Sequence, residues 1–376
     1  MVQVIARLQD LPQMGLPGRT GRLRAQLGGA TCDALLVSSL ANVRYLTGFS
    51  GSAGLLLVLP DDAVLVTDGR YKSQVQRELA ASGAEARAVA LRADEQPELL
   101  GQLAQGVAKL GLEADHVSWA QQRRWAQTWA AGIDLVATSG LVEGLRERKD
   151  DGEIARIATA AAIADEALAR VQGMLTERPT EADFAIALDA EMRRLGADEP
   201  AFETIVAAGP NGAEPHHRPS ARRVGDREMV TVDFGARVDG YCSDMTRTLL
   251  PISGGTTPEL RRVFSVVLAS QDAGLAAVRD GVRGAEVDRA CREVVEAAGW
   301  GDLFVHGTGH GVGLNVHEAP SLGIPSQDIL CCGQVVTVEP GVYVPGLGGA
   351  RTEDTVVVTE AGCEILTMTP REVHAL

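Results

Sequence analysis

The stretch Met229–Leu250, "MVTVDFGARVDGYCSDMTRTLL", alternates apolar and polar residues on both sides of a central Asp-Gly dipeptide. In its first half the valines and Phe234 share one face, and Asp233 falls on the opposite face. Alternation with a period of two is typical of a strand, and Asp-Gly is typical of a tight hairpin turn. We therefore expect a β-hairpin whose two strands direct Asp233 and Asp244 into one space.

Two aspartates on apolar strands require partners for their charge, because burying an unpaired carboxylate costs several kcal/mol. For Asp233 alone, a buried salt bridge would be a sufficient explanation. For Asp233 and Asp244 together, on adjacent strands, coordination of a metal ion is the better explanation.

Two glutamates near the C-terminus repeat this pattern. Glu339 ends the strand pattern "GQVVTVEPGVYV", and Glu353 leads into the strand of "GGARTEDTVVVT". Each glutamate lies at the end of a valine-rich run, which is a poor environment for an isolated charge. Together with the two aspartates, they make four carboxylates on apolar strands of one domain.

The stretch His306–Glu318, "HGTGHGVGLNVHE", contains three of the seven histidines of the chain. His306 and His310 have helical spacing, but the glycines around them make a helix improbable, and His317 lacks the second histidine of an HExxH motif. One histidine with four carboxylates suits Mn²⁺ or Co²⁺ better than a structural zinc site. Four carboxylates nearly neutralise two divalent ions, and such a pair generates a nucleophile at neutral pH.

The bulk composition indicates a globular protein with two domains. A chain of 376 residues is longer than one hydrophobic core usually supports. The net charge of −15 argues against affinity for nucleic acid or anionic membranes. No signal peptide or membrane-spanning run is predicted, and the six cysteines form no regular framework, so we expect reduced thiols and a cytoplasmic protein.

Strand and helix patterns alternate up to about residue 138, which predicts an α/β N-terminal domain. Within it, "NVRYLTGFSGSAG" is interpreted as a Gly/Ser-rich loop. The charged run at residues 146–153 marks a plausible boundary. Beyond it, residues 164–196 and 270–299 share one order of features, a helix, a break and a second helix closed by glycine, each followed by strand material. This predicts an internal duplication.

These residues converge on a known family. The strings "VDFGARVDGYCSDMTRT", "HGTGHGVGLNVHE", "TVEPGVY" and "RTEDTVVVT" resemble, in order and spacing, the motifs of the pita-bread metallopeptidases, which include methionine aminopeptidase, aminopeptidase P and prolidase. "NVRYLTGFSGSAG" and "TDGRYKSQ" resemble the creatinase-like N-terminal domain of the Xaa-Pro branch. The resemblance implies a creatinase-like α/β domain, residues 1–142, and an α+β pita-bread catalytic domain with a pseudo-two-fold duplication, residues 143–376.

Carried over position by position, the resemblance implies roles for individual residues. The implied metal ligands are Asp233, Asp244, His310, Glu339 and Glu353. Glu339 would also accept a proton from the attacking water. "NGAEPHHRP" resembles the family motif that places His216 at the catalytic position, with His317 as its partner at the scissile carbonyl, and leaves His217 as a surface loop residue. His306 would support the site from behind or serve as a core histidine, and Arg351 would pair with a metal-site carboxylate or contact substrate.

The resemblance therefore implies a peptidase with two divalent ions, favoured as Mn²⁺ with Co²⁺ or Zn²⁺ as alternatives. It would cleave the bond between an N-terminal residue and proline, as an Xaa-Pro dipeptidase (prolidase) or, alternatively, as an aminopeptidase P acting on longer peptides. A creatinase-type amidinohydrolase or a non-catalytic binding protein would be expected to lack some of these residues. The implied partners are a small proline-containing peptide and a second copy of the chain, because family members commonly form dimers.

A cation near the substrate would favour the dipeptidase, and Arg44 in "NVRYLTGF" is the candidate for the carboxylate of the dipeptide. Replacing Arg44 by alanine is expected to raise KM for Ala-Pro far more than for Ala-Pro-Gly, because only the dipeptide places its carboxylate at that point. Steady-state kinetics on both peptides measure this. Equal effects on the two substrates would identify Arg44 as a structural residue instead.

Overall fold

The N-terminal unit, residues 14–146, is built around a six-stranded mixed sheet in the computed structural model, which describes residues 5–251 and 256–374. Its strands are β1 Ala34–Val37, β2 Leu55–Val58, β3 Ala63–Asp68, β4 Arg87–Leu91, β5 Lys109–Glu113 and β6 Asp134–Thr138. Their order is β4-β3-β2-β1-β5-β6, with β1, β5 and β6 parallel and β1, β2 and β3 antiparallel. The helices are α1 Arg19–Leu27, α2 Leu40–Thr47, α3 Lys72–Ser82, α4 Gln96–Leu103, α5 Trp119–Gln127 and α6 Glu143–Arg146.

The α/β class predicted for this unit is confirmed, but one local prediction is wrong. The segment interpreted as a loop begins inside α2, which buries Val43, Tyr45 and Leu46. The helix ends at Gly48, whose positive φ of 75° is the left-handed conformation that glycine readily adopts. Only the part after Gly48 is a loop, because burial of one apolar face outweighs the weak helix propensity of this stretch.

The C-terminal unit comprises the residues up to Gln13 and from Glu147 onwards. Its helices are α7 Asp151–Val171, α8 Glu181–Arg194, α9 Pro258–Ala277 and α10 Gly284–Ala297. Its first strands are β7 Glu199–Pro200, β8 Ile205–Ala208, β9 Val230–Phe234, β10 Ala236–Val238, β11 Tyr241–Cys242 and β12 Met245–Leu250. The remaining strands are β13 Gly309–Gly311, β14 Glu318–Leu322, β15 Val335–Val338, β16 Gly341–Val344, β17 Gly348–Arg351, β18 Asp354–Val358, β19 Cys363–Ile365 and β20 Val373–His374.

Two helix pairs, each with its own sheet, confirm the α+β class and the predicted duplication. The pair α7 and α8 shares a core with the sheet β20-β12-β9-β8, where Phe184 and Phe234 are buried. The pair α9 and α10 shares a second core with the sheet β14-β13-β15-β18-β19. The smaller sheets β11-β10-β7 and β16-β17 complete the unit. Helix α8 begins with a capping box between Thr180 and Asp183.

The predicted boundary falls between residues 142 and 143, and the chain passes from one unit to the other between Arg146 and Glu147. Residues 5–13 belong to the C-terminal unit, where the Pro12 carbonyl accepts a hydrogen bond from Arg156. Among residues 5–251 and 256–374, no helix is both long enough and apolar enough to cross a membrane. All six cysteines are unpaired, as expected of reduced thiols, and Cys242 is fully buried.

The predicted hairpin forms, and its strand pairing is interrupted once, between the pair β9–β12 and the pair β10–β11. Strands β9 and β12 are antiparallel, with Asp233 opposite Thr246, and the turn residues Asp239 and Gly240 both have positive φ. At Gly235 the two chains approach so closely that a Cβ would lie 1.9 Å from the Ser243 carbonyl oxygen. Only glycine fits there, and this contact sets the distance between the two strands that carry the aspartates.

Candidate metal centre

Five of the predicted site residues lie at strand ends of the C-terminal unit. Asp233 is in β9, Asp244 immediately precedes β12, His310 is the middle residue of β13, Glu339 follows β15, and Glu353 lies between β17 and β18. All five line one cavity of about 560 Å³. The strands therefore bring together residues that are up to 120 positions apart in the chain (353 − 233 = 120).

The ligand atoms of Asp244, His310 and Glu353 lie within 4.8 Å of one another. His310 Nε2 is 3.2 Å from Glu339 Oε1 and 3.6 Å from Asp244 Oδ2. Its other ring nitrogen, Nδ1, is 3.0 Å from the Gly311 carbonyl oxygen, to which it donates. This hydrogen bond selects the tautomer whose Nε2 lone pair faces the carboxylates, as metal-ligating histidines require.

Glycines on both sides of His310 allow its strand to lie against two neighbours. A Cβ at Gly309 would be 2.0 Å from the Thr337 carbonyl oxygen, and a Cβ at Gly311 would be 2.2 Å from that of Ala319. Any side chain at either position would separate the strands. Glycine at these two positions thus lets the backbones of neighbouring strands come together around His310.

The carboxylates repel one another in a buried environment. Burial raises the pKa of Asp244 well above its usual range, with further increases from the charges of Glu353 and Asp233. Burial and the charges of Glu339 and Asp233 do the same to the pKa of Glu353. Within the part of the chain that the structure describes, Asp233 Oδ1 and Glu353 Oε1 are buried without a hydrogen-bond partner. Divalent cations would satisfy both the excess charge and these oxygens, so the residues present fit a metal centre.

Glu339 differs from the other carboxylates because His310 lies beside it. Although burial opposes ionisation, the hydrogen bond and charge of His310 lower the pKa of Glu339 to about 2. Burial lowers the pKa of His310, but its contact with Glu339 outweighs this effect and the pKa is raised. In the metal-free protein, each member of the pair therefore favours the charged form of the other.

Arg351 connects this centre to the residues behind it. Its guanidinium donates to Asp233 Oδ2 at 2.7 Å and to Thr246 Oγ1 at 3.0 Å, and also to the Tyr343 hydroxyl at 2.8 Å and the Pro215 carbonyl at 3.2 Å. The expected pairing of Arg351 with a metal-site carboxylate is present. The guanidinium thus already donates to four acceptors within the protein. Direct contact of Arg351 with substrate stays a prediction.

His306 lies at the end of the same chain of hydrogen bonds. Its Nδ1 is 2.7 Å from the Gly307 carbonyl and its Nε2 is 2.7 Å from the Tyr343 hydroxyl. Burial lowers the pKa of His306, so the neutral ring donates from Nδ1 and accepts the Tyr343 proton at Nε2. His306 thus contacts the centre through Tyr343, which also accepts from Arg351.

His216 and His317 are exposed at the cavity wall, close to the metal-site residues. The ring of His317 packs edge-on against that of His310, with 4.3 Å between centroids. Partial desolvation at the cavity wall and the charge of His310 lower the pKa of His317. A neutral imidazole at this position has one N–H with which it can donate to a substrate oxygen.

The interpretation of His217 as a surface loop residue is wrong. Its side chain is 11% exposed, and its Nε2 is 2.9 Å from Glu181 Oε2. The sequence gives no local signal for this contact. Glu181 simply follows the capping residue Thr180, and nothing near it indicates that residues 208–220 fold back onto it. Tyr343 was missed too, although it lies within the quoted string "TVEPGVY".

Comparisons with known proteins extend over nearly the whole chain. Residues 155–360 match the model of metallopeptidase family M24, and residues 19–148 match the Creatinase/Prolidase N-terminal domain. An uncharacterized peptidase of Bacillus subtilis (strain 168), YqhT, is 37% identical over 364 residues, covering 94% of this chain and 99% of that protein.

Solved structures agree with these matches. A Xaa-Pro dipeptidase from Bacillus anthracis has a TM-score of 0.90 at 34% identity, covering 96% of this chain and all of the other. An X-Pro aminopeptidase from Thermotoga maritima has a TM-score of 0.86 at 32% identity, covering 95% of this chain and all of the other.

We predict that Glu353→Gln removes stabilisation by metal without weakening the metal-free protein. The pKa of Glu353 is already raised well above its usual range, so glutamine resembles its protonated form. Mn²⁺ at about 100 times its Kd should stabilise the wild type by about 2.7 kcal/mol and the variant by much less. Thermal unfolding with and without Mn²⁺ measures this, with exposed Glu360 replaced by glutamine as a matched control. Equal stabilisation of both proteins would contradict the assignment.

We also predict that the stabilisation contributed by His217 depends on pH. Its contacts with Glu181 and Glu214 outweigh burial and raise the pKa of His217 above its usual value of about 6.5. The stabilisation is then complete below about pH 6.5 and declines as pH rises through the higher, folded pKa. Arg222 and Glu228, the other charged groups near Glu181, are paired with each other and change little in this range.

The measurement is the difference in unfolding free energy between the wild type and His217→Gln from pH 5 to 9. It should be largest at the acidic end and shrink towards the alkaline end. His116→Gln, which removes a half-exposed histidine of the N-terminal unit, provides the control for loss of one imidazole. A difference that grows with pH would show that His217 is buried in its neutral form.

Proposed function

The chain belongs to metallopeptidase family M24, and on that premise we propose that it hydrolyses the peptide bond between an N-terminal residue and proline. The observation that carries the proposal is the cavity that holds all five ligand-type residues together with His216 and His317. The names of its structural neighbours, a Xaa-Pro dipeptidase and an X-Pro aminopeptidase, support the same substrate class.

The metal would be held by Asp233, Asp244, His310, Glu339 and Glu353. The close approach of Asp244, His310 and Glu353, and the unpaired oxygens of Asp233 and Glu353, support this set. Two divalent ions would supply a water activated at neutral pH and a Lewis acid for the peptide carbonyl. The carboxylate-rich donor set favours Mn²⁺, with Co²⁺ or Zn²⁺ as alternatives.

Glu339 would accept the proton of the attacking water. Its pKa of about 2 in the metal-free protein keeps its carboxylate ionised, so its oxygens carry no proton before the reaction. The proton would then pass to the departing proline nitrogen, which has no hydrogen of its own in the peptide. Arg351 would keep Asp233 in place during this exchange through the 2.7 Å contact of their side chains.

His216 and His317 would hold the scissile carbonyl. Both line the cavity, and the lowered pKa of His317 keeps a neutral N–H donor available near neutral pH. Donors aimed at the oxygen of a tetrahedral intermediate contribute to kcat because the negative charge develops there only in the transition state.

The dipeptidase is the favoured form of this activity, and an aminopeptidase P acting on longer peptides is the alternative. The similarity of this chain to the X-Pro aminopeptidase from Thermotoga maritima supports the alternative. A creatinase-type amidinohydrolase and a non-catalytic protein are less favoured, because all the implied ligands and both histidines are present in this chain. A homodimer and a cytoplasmic location complete the proposal, supported by the family's habit of dimerising and by six unpaired cysteines.

The test is hydrolysis of Ala-Pro and Ala-Pro-Gly by the purified chain with Mn²⁺, Co²⁺ or Zn²⁺, and with a chelator as the negative control. Cleavage before proline that depends on metal is the expected result. Glu339→Gln should lower kcat about 10²- to 10⁴-fold, as expected for loss of a general base. Failure to cleave either peptide with any of the ions would refute the proposal.

A further inference from the structure

A buried carboxylate outside the metal centre organises the segment that carries His216. Glu181, the first residue of α8, is 0% exposed. Its Oε1 accepts from Ala208 N at 2.8 Å and Asn211 Nδ2 at 2.9 Å. Its Oε2 accepts from His217 Nε2 at 2.9 Å, and from the backbone N and hydroxyl of Ser220 at 3.1 and 2.6 Å.

The position of Glu181 at a helix N-terminus favours its charge, because the helix dipole and free N–H groups stabilise an anion there. Although burial opposes it, the hydrogen bonds from Ser220, Ala208 and His217 lower the pKa of Glu181. The carboxylate therefore stays ionised and attracts a cation.

The basic side chain in contact with it is that of His217. Its Nε2 faces Glu181, and its Nδ1 is 3.2 Å from Glu214 Oε2. A neutral imidazole carries a hydrogen on only one nitrogen, whereas two carboxylate acceptors require one on each. The glutamates on the two sides of the ring therefore favour the protonated form of His217 and raise its pKa against the effect of burial.

The residue directly before His217 is His216, which lines the cavity. On its other side, the Pro215 carbonyl accepts from Arg351, which in turn binds Asp233. His216 therefore lies between two anchored neighbours, one held by the metal-site arginine and the other by a buried acid.

We propose that His217 is a positioning residue whose contact with Glu181 holds residues 214–220 so that His216 faces the metal centre. The proposal rests on the function above, in which His216 contacts the scissile carbonyl. It adds a residue whose imidazole acts through its neighbour and touches no reacting atom.

A similar arrangement lies behind His317, the second proposed carbonyl donor. The next residue, Glu318, is 3.3 Å from Lys149 Nζ, and the two side chains are 7% and 1% exposed. Glu318 Oε1 also accepts from Asn315 N at 2.8 Å, which closes the turn before His317. At both histidines, the following residue is thus fixed by a buried ion pair.

Loss of His217 should lower kcat and leave KM nearly unchanged, because the contact of His216 matters most in the transition state. The fold should survive, since Ala208, Asn211 and Ser220 still donate to Glu181. We expect His217→Leu to lower kcat for Ala-Pro about 10- to 100-fold, less than the roughly 10²- to 10³-fold cost of removing one oxyanion donor outright, because His216 is displaced and not lost. His217→Gln, whose amide can still donate to Glu181, should recover most of the loss.

A double-mutant cycle with His216→Ala separates positioning from general damage. If His217 acts through His216, then His217→Leu has no further effect on kcat once His216 is alanine. Multiplicative losses in the double variant would overturn the proposal. Mn²⁺ binding, measured by calorimetry, should be the same in all variants because neither histidine belongs to the ligand set.

Asp165→Asn is the matched control. Asp165 is a buried acid of α7 that accepts from Met368 N and Thr369 N at 2.8 and 2.7 Å, away from the cavity-lining residues. Its loss should lower the thermal midpoint and leave kcat unchanged. A fall in kcat equal to that of His217→Leu would mean that any buried defect slows the enzyme, which would overturn the proposal.

A readout without substrate distinguishes failure of this proposal from failure of the proposed function. In histidine-labelled protein, the His216 ring resonances, assigned from their absence in His216→Ala, should shift or broaden in His217→Leu and return towards wild type in His217→Gln. If the wild type cleaves no Xaa-Pro peptide, the proposed function fails, and these spectra still report on positioning. Unchanged His216 resonances in His217→Leu would overturn the positioning role itself.

Discussion

The mutual repulsion of buried carboxylates is the constraint on which this structure depends. Asp244 and Glu353 are both almost fully buried, with the ligand atoms of a shared histidine beside them. Arg351 pairs with Asp233, and His310 lies beside both Glu339 and Asp244, whereas Glu353 forms no ion pair with a cationic side chain among the residues described. The rest of the unit must therefore hold the cluster together against its own electrostatic energy until divalent ions neutralise it.

The fold meets this requirement by joining its two halves directly at the site. Glu353 N donates to the Thr246 carbonyl at 3.1 Å, and the Thr355 hydroxyl donates to the Asp244 carbonyl at 2.7 Å. Arg247 and Asp354, neighbours of these residues, form a buried ion pair at 2.7 Å. Strand β12 of one half is thus tied to β18 of the other by main-chain and ionic contacts. Strand register, more than side-chain flexibility, then sets the distances between ligands.

The features that could be predicted from sequence were those with a local cause. The alternation around Asp233 and the Asp-Gly turn specify the hairpin, and the Thr180 capping box specifies the start of α8. The helix at residues 40–47 and the burial of His217 could not be predicted this way. The first depends on an apolar face that only the folded sheet covers, and the second on Glu181, 36 residues earlier in the chain (217 − 181 = 36). Likewise, the hydrogen bonds that link Arg351 to Tyr343 and Tyr343 to His306 join three separate sequence motifs. The spacing of residues within each motif does not predict these contacts.

The glycines beside His310 have a consequence for how this sequence can diverge. Gly309 and Gly311 lie against the carbonyls of Thr337 and Ala319, so a side chain at either position would collide with main chain that cannot rotate away. The histidine between them has no such restriction, since its ring faces an open cavity. Packing alone therefore restricts Gly309 and Gly311, whereas His310 is restricted by the chemistry of the site. In a lineage released from catalysis, the histidine would be free to drift first, and the paired glycines would persist as the trace of a former metal centre.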